Sequence, residues 1–138
     1  MEFINDVLTG TDCRPITVGF VTELEAKTIK ELTGIDVNGN RITMDADAIR
    51  HIEKRHGTNG IHDHSMQSKE DIAKICYILS NYDNIMSTET KSYKYRTKDN
   101  EPSPHIIIIK QMEDTYYVVE AVSDSKNKEN HIVSMYKR

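Results

Sequence analysis

Apolar positions along this chain change their period near residue 84. Before it they recur at three- and four-residue intervals, the spacing of one face of a helix. "TELEAKTIKELTG" predicts a first helix over 23–33, opened by a capping box of Thr22 and Glu25 and stopped at Gly34. A second helix is predicted over 46–56, capped by Asp45 and closed by basic residues and Gly57. "SKED" opens a third over 69–80, with Ile72, Ile75, Cys76 and Leu79 at helical spacing. "PITVGFV" reads as a short strand, and "DVNGNRITM" as a turn followed by a brief extended piece. After residue 84 the period is two. "NIMST", "KSYKYRT", "HIIIIKQ", "TYYVVEAV" and "HIVSMYK" then read as an antiparallel meander, in which "HIIIIK", apolar on both faces, is expected as the central strand. "SDSKNKEN", residues 123–130, has no apolar residue and is expected as a mobile loop. The fold class is therefore α+β, with N-terminal helices packed on a C-terminal antiparallel sheet of four to five strands.

Length and composition narrow the picture. A chain of 138 residues fits one domain with its own core, taken as residues 15–138 after a loose lead-in over 1–14. The net charge of −4 supplies no global field drawing it to a polyanion, so any such binding needs a local patch. Cys13 and Cys76 are far apart, and Cys76 lies in an apolar run, which predicts a buried free thiol rather than a disulfide. No stretch is long and apolar enough for a membrane span. "MEFINDVLTG" lacks the basic and apolar regions of a signal peptide, so no export signal and no membrane partner are expected.

Candidate chemistry concentrates in "IRHIEKRHG", residues 49–57. With each residue advancing about 100°, Ile49, Ile52 and His56 share one face and Ala48 lies at its edge. His51 and Arg55 form a row just outside that stripe, where a cleft would run, and Arg50 and Lys54 point to solvent. His56 has two readings, a packing histidine at a helix end or a ring entering the cleft from its floor. His51 and His56 stand about 140° apart on a regular helix, which opposes a shared metal ion, and His62 and His64 read as a solvated loop. In the last strand, Ile132, Ser134 and Tyr136 alternate onto one face, opposite His131, Val133 and Met135. Glu120 interrupts the apolar run "YYVVEAV", either at an exposed strand end or held in a site. "KSYKYRTK" interleaves Lys91, Lys94, Arg96 and Lys98 with Tyr93 and Tyr95, a pattern that suits gripping a nucleic-acid backbone or pairing aromatics across a sheet.

The order of "ITVGFVTELEAKTIKELTGIDVNGNRITMDADAIRHIEKRHG", "SKEDIAKICYILSNYDNI" and "YYVVEAVSDSKNKENHIVSMYK" resembles phage-associated nuclease domains of the Barnase, EndoU, colicin and RelE-like superfamily. Such domains occur in phage head-morphogenesis proteins and in polymorphic or conjugative-element toxins. The resemblance implies a metal-independent endoribonuclease without a cofactor, acting on RNA, tRNA by analogy with colicin-type tRNases. The ribose 2′-OH would attack the phosphate and leave a 2′,3′-cyclic phosphate. It places the catalytic element on His51, Arg55 and His56 and a hydroxyl pair on Ser134 and Tyr136. Lys54, Lys91, Lys94, Arg96 and Lys110 are the candidate RNA contacts. A cognate immunity protein, a monomeric free state and action in the cytoplasm of a target cell, after delivery within a larger secreted or virion protein, are further expectations. Two other classes stay open: a catalytically silent module of the same fold, and a metal-assisted hydrolase using the histidine cluster.

Overall fold

The computed structural model describes residues 16–56 and 69–138. Cys13, Gly57, His62, His64 and the side chain of Tyr93 lie outside the described residues. The elements are β1 (Ile16–Phe20), α1 (Glu23–Thr33), β2 (Arg41–Met44), α2 (Ala46–His56), α3 (Lys69–Ala73), α4 (Ile75–Ser80), β3 (Asn84–Arg96), β4 (Pro102–Met112), β5 (Thr115–Asp124) and β6 (Glu129–Lys137).

The first helix forms as its capping residues require. The Glu25 N–H donates to Thr22 Oγ1 at 3.2 Å and the Thr22 N–H to Glu25 Oε1 at 3.2 Å. Gly34 ends the helix at φ 77°, the left-handed position that a side chain would disfavour. The predicted third helix divides at Lys74, whose N–H bonds back three residues to the Asp71 carbonyl at 3.3 Å. The break resets the rotation, so that Ile75, Ile78 and Leu79 make the buried stripe of α4. Cys76 is consequently exposed, contrary to the buried thiol expected of it.

The sheet is larger than expected and mixed. Its six strands run in the order β1-β2-β6-β5-β4-β3, so the two early extended segments join the C-terminal meander rather than preceding it. β2 pairs with β6 in parallel, with Arg41, Ile42 and Thr43 opposite Glu129, Asn130 and His131; the other neighbouring pairs are antiparallel. Two polar links fasten this junction: Asn40 Nδ2 donates to Asn130 Oδ1 at 3.0 Å between buried side chains, and Arg41 pairs with Glu129 at 3.2 Å. The helices are interleaved with strands rather than gathered at the N-terminus. β4 is second from one edge, and β6 and β5 take the middle. The isoleucine run is apolar on both faces without being central, because its alternate residues have different cover: Ile106 and Ile108 are buried in the helix-side core while Ile107 and Ile109 are half-buried. Half of the segment expected as a loop at 123–130 is strand, which leaves a turn at Ser125–Lys128 that Asp124 ties by accepting from the backbone N–H and Nδ2 of Asn127.

One row of side chains carries the core across the sheet. Ile108, Val119 and Met135 are register partners, as are Ile106, Ala121 and Ile132, and all are buried with Ile49 and Ile52 of α2 and Ile72 and Ile78 of α3 and α4. At the end of this face Asp71 is buried and accepts from Lys137 at 2.9 Å, Tyr117 Oη at 3.0 Å and Lys74 at 3.3 Å. Burial pushes its carboxyl up, but the bonds from Lys137, Tyr117 and Lys74 outweigh that and hold it below the usual carboxylate range.

A depressed folded pKa stabilises above the unfolded value of about 3.9 and is lost as pH falls through the folded value. Asp71→Asn is therefore expected to cost about 1–3 kcal/mol at neutral pH. Urea midpoints measured from pH 6 downward check it: the wild type should lose more stability than the variant below about pH 4.

Candidate functional site

α2 sets one wall of the site. Asp45 Oδ1 accepts the Ala48 N–H at 2.8 Å, fixing the start of the helix. Ile49 and Ile52 are fully buried, and this orientation turns His51 and Arg55 into a cleft while Arg50 and Lys54 stay exposed. His56 is buried at 7 % exposure and also lines the cleft beside Tyr136, with ring centroids 5.1 Å apart.

The floor comes from β4, β5 and β6. Glu120 and Ser134 are register partners, and His105 pairs with Val122 two residues from Glu120, so His105 and Glu120 point to the same face. His105 Nδ1 is hydrogen-bonded to Glu120 Oε2. A carboxylate can only accept, so the hydrogen of this bond sits on Nδ1, and in the neutral imidazole that leaves Nε2 as the acceptor of the ring. Strict alternation along β6 fails at a bulge, where Glu120 and Ala121 face Ser134 and Ile132. The bulge sends Ile132 into the core with Met135, whereas Ser134 and Tyr136 stay on the cleft side and His131 joins them. The expected grouping of Ile132 with Ser134 and Tyr136 is corrected on that account.

The third wall is the far end of β3. The two strands read there, "NIMST" and "KSYKYRT", are one strand of thirteen residues. Lys91 pairs with Pro104 and Arg96 with Pro102, so residues 92–95 stand opposite Ser103 alone. Ser92 Oγ gathers this excess by accepting the N–H groups of Lys94 and Tyr95 at 3.1 and 2.9 Å. The strand consequently curls over the sheet. β3 and β6 are three positions apart in strand order, roughly 14 Å at ordinary spacing, yet the rings of Tyr95 and His131 stack at 4.3 Å and 18°. His131 is held in turn by Thr43 Oγ1 at 2.8 Å and Asp124 Oδ2 at 3.2 Å. Burial raises the Asp124 carboxyl, and the bonds from Asn127 and His131 more than reverse this, leaving it lowered. Lys94 has its ammonium 5.3 Å from the centre of the Tyr95 ring. Its hydrogen bond to Tyr95, with the fields of Asp45 and Asp47, raises its pKa above the usual lysine value.

Together these walls enclose a cleft of about 600 Å³. Every histidine among the described residues, His51, His56, His105 and His131, lines it, together with Arg55, Lys94, Glu120, Ser134 and Tyr136. Such a set offers imidazoles able to give or take a proton, cations for an anionic ligand and hydroxyls to orient it. Among the described residues no cluster of three or more His, Cys, Asp or Glu has the arrangement of a metal site. Of the sequence-derived candidates, His51, Arg55, His56, Ser134, Tyr136 and Lys94 come together here. Arg96 lines an adjoining depression. Lys54 and Lys91 are exposed outside the lining, and Lys110 pairs with Asp83 at 3.2 Å at the start of β3. Sequence reasoning did not select His105 or His131 as site residues, and it read Tyr95 only as one member of the aromatic–basic pattern of "KSYKYRTK". The available signal was a histidine opening the isoleucine run and a glutamate breaking the next strand, which become one feature only once the register is known.

A model of the phage-Barnase-EndoU-ColicinE5/D-RelE like nuclease3 family matches residues 19–138. No curated protein and no solved structure matches the chain. The stack of Tyr95 on His131 should be the fastening of the third wall. Tyr95→Ala is expected to lower stability by roughly 1–2 kcal/mol and to speed amide hydrogen exchange at residues 94–96, measured by mass spectrometry, while exchange in β5 stays slow.

Proposed function

The chain belongs to the phage-Barnase-EndoU-ColicinE5/D-RelE like nuclease family, and from that premise we propose that its cleft cuts RNA by attack of a ribose 2′-OH on the adjacent phosphate, leaving a 2′,3′-cyclic phosphate. The observation that carries this reading is the His105–Glu120 pair on the floor of a cleft whose helical wall presents His51 and Arg55. Transesterification of RNA needs a base for the 2′-OH, positive charge on the phosphate as its charge grows, and an acid for the departing 5′-oxygen. Glu120 fixes the tautomer of His105, whose Nε2 takes or gives one proton. His51, on the opposite wall, handles the other. Arg55 forks onto the phosphate oxygens and Lys94 adds a second cation at the rim. Ser134 and Tyr136 orient the phosphate or the 2′-OH, and His56, packed on Tyr136, positions that ring.

RNA is preferred over DNA because the nucleophile itself is the 2′-OH. In a chain of net charge −4, the cationic groups at the cleft favour a target met locally over coating of any polyanion. A tRNA loop is the substrate we propose, with a cognate immunity protein covering the cleft in the producing cell.

Purified protein incubated with total tRNA in EDTA, followed by mapping of ends, tests the reading. Cleavage leaving 2′,3′-cyclic phosphates is expected, and a 2′-deoxy substitution at the mapped site should abolish it. His51→Ala and Glu120→Gln should each slow cleavage by about 10²–10⁴-fold with unchanged circular dichroism. Full activity in His51→Ala removes that residue from the mechanism. Absence of cleavage in EDTA with recovery on added zinc favours metal-assisted hydrolysis, and RNA binding without cleavage under either condition favours a silent module.

A further inference from the structure

Beside the catalytic cleft lies a second depression of about 370 Å³ that shares Lys94 and Tyr95 with it. Two hairpins build it. The end of β3 contributes Arg96, the β3–β4 connection Lys98, and the β5–β6 turn Lys126 and Asn127. The curl of β3 brings these turns together, with the Ser125 N–H donating to the Arg96 carbonyl at 3.4 Å. Four cations, Lys94, Arg96, Lys98 and Lys126, therefore border a space in which the lining carboxylate is Asp124. That carboxylate is buried and already accepts from Asn127 and His131. The local charge is strongly positive in a chain whose net charge is −4. Between the two spaces stands Tyr95, half-buried, with its ring on His131.

We propose that this depression is a subsite for a neighbouring nucleotide of a single-stranded RNA, its phosphate held by Lys98 and Lys126 and its base set against Tyr95. The inference rests on the reading of the main cleft as the place where the scissile phosphate sits. Single strands bind in this manner where a cationic groove follows the backbone and an aromatic ring offers a face to a base. Arg96 and Lys94 carry the strand from one space to the next. The two hairpins then act as the length gauge of the enzyme: a substrate of two nucleotides fills the cleft alone, and a longer one reaches the second space.

Binding of non-cleavable 2′-O-methyl oligonucleotides, followed by fluorescence anisotropy, tests this without requiring activity. The wild type is expected to bind the tetranucleotide about 10-fold or more tighter than the dinucleotide, one base stack being worth about 1–3 kcal/mol. Lys98→Ala/Lys126→Ala replaces two exposed side chains, so its fold is expected to be retained. It should lower tetranucleotide affinity toward that of the dinucleotide and reduce the slope of log affinity against log salt by about 0.7, the change for one lost phosphate contact. Equal affinity of the wild type for the two lengths, or an unaltered slope in the variant, overturns the subsite. Cleavage of a ribodinucleotide by the wild type is measured in parallel. Cleavage without a length effect overturns the subsite alone, whereas a length effect without cleavage of any RNA supports the subsite and overturns the catalytic reading.

Discussion

The imidazole of His131 is engaged at both nitrogens, by Thr43 of β2 and Asp124 of β5, while its face carries Tyr95 from the end of β3. Four strands thus converge on one ring, since His131 itself belongs to β6. Such a network is costly to leave half-made, because a buried donor or acceptor that loses its partner retains its desolvation cost. The same contacts that stabilise the sheet also hold the third wall over its face. The strands of the cleft floor and the wall at the end of β3 are therefore tied together by one polar knot.

Much of the local structure could be read from the chain. The capping box of Thr22 and Glu25, Gly34, and Asp45 set the first two helices at their predicted limits, because caps are decided by residues a few positions apart. The row of His51 and Arg55 beside Ile49 and Ile52 followed from helical geometry alone. Long-range relations were hidden. Nothing near Arg41 announces that β2 will enter the sheet beside β6, because parallel pairing is fixed by partners elsewhere in the chain. The His105–Glu120 pair is of the same kind: each residue alone is an interruption in an apolar strand, and only the β4–β5 register makes them neighbours. The two irregularities that shape the cleft, at Ser134 and at residues 92–95, break the very alternation used to read strands.

Charge is distributed with similar economy. The carboxylates around the site are committed: Asp45 to the helix start, Asp47 to Arg50, Asp124 to Asn127 and His131, and Glu120 to His105. Asp124 and Glu120 thereby orient histidines at the cleft, with Arg55 and Lys94 as its cationic lining. A mildly acidic chain can in this way present an electropositive track without carrying a positive field over its whole surface.

The parallel pairing of β2 with β6 has a consequence in time as well as in space. β6 follows every other element of the sheet in the sequence, and it supplies His131, Ser134 and Tyr136. During synthesis α2 with His51 and Arg55 emerges first, but its sheet partner does not exist until the last strand has left the ribosome and closed a loop spanning most of the chain. Contacts of such long range form late and slowly. The cleft therefore stays incomplete, lacking His131, Ser134 and Tyr136, until β6 has docked beside β2 and β5.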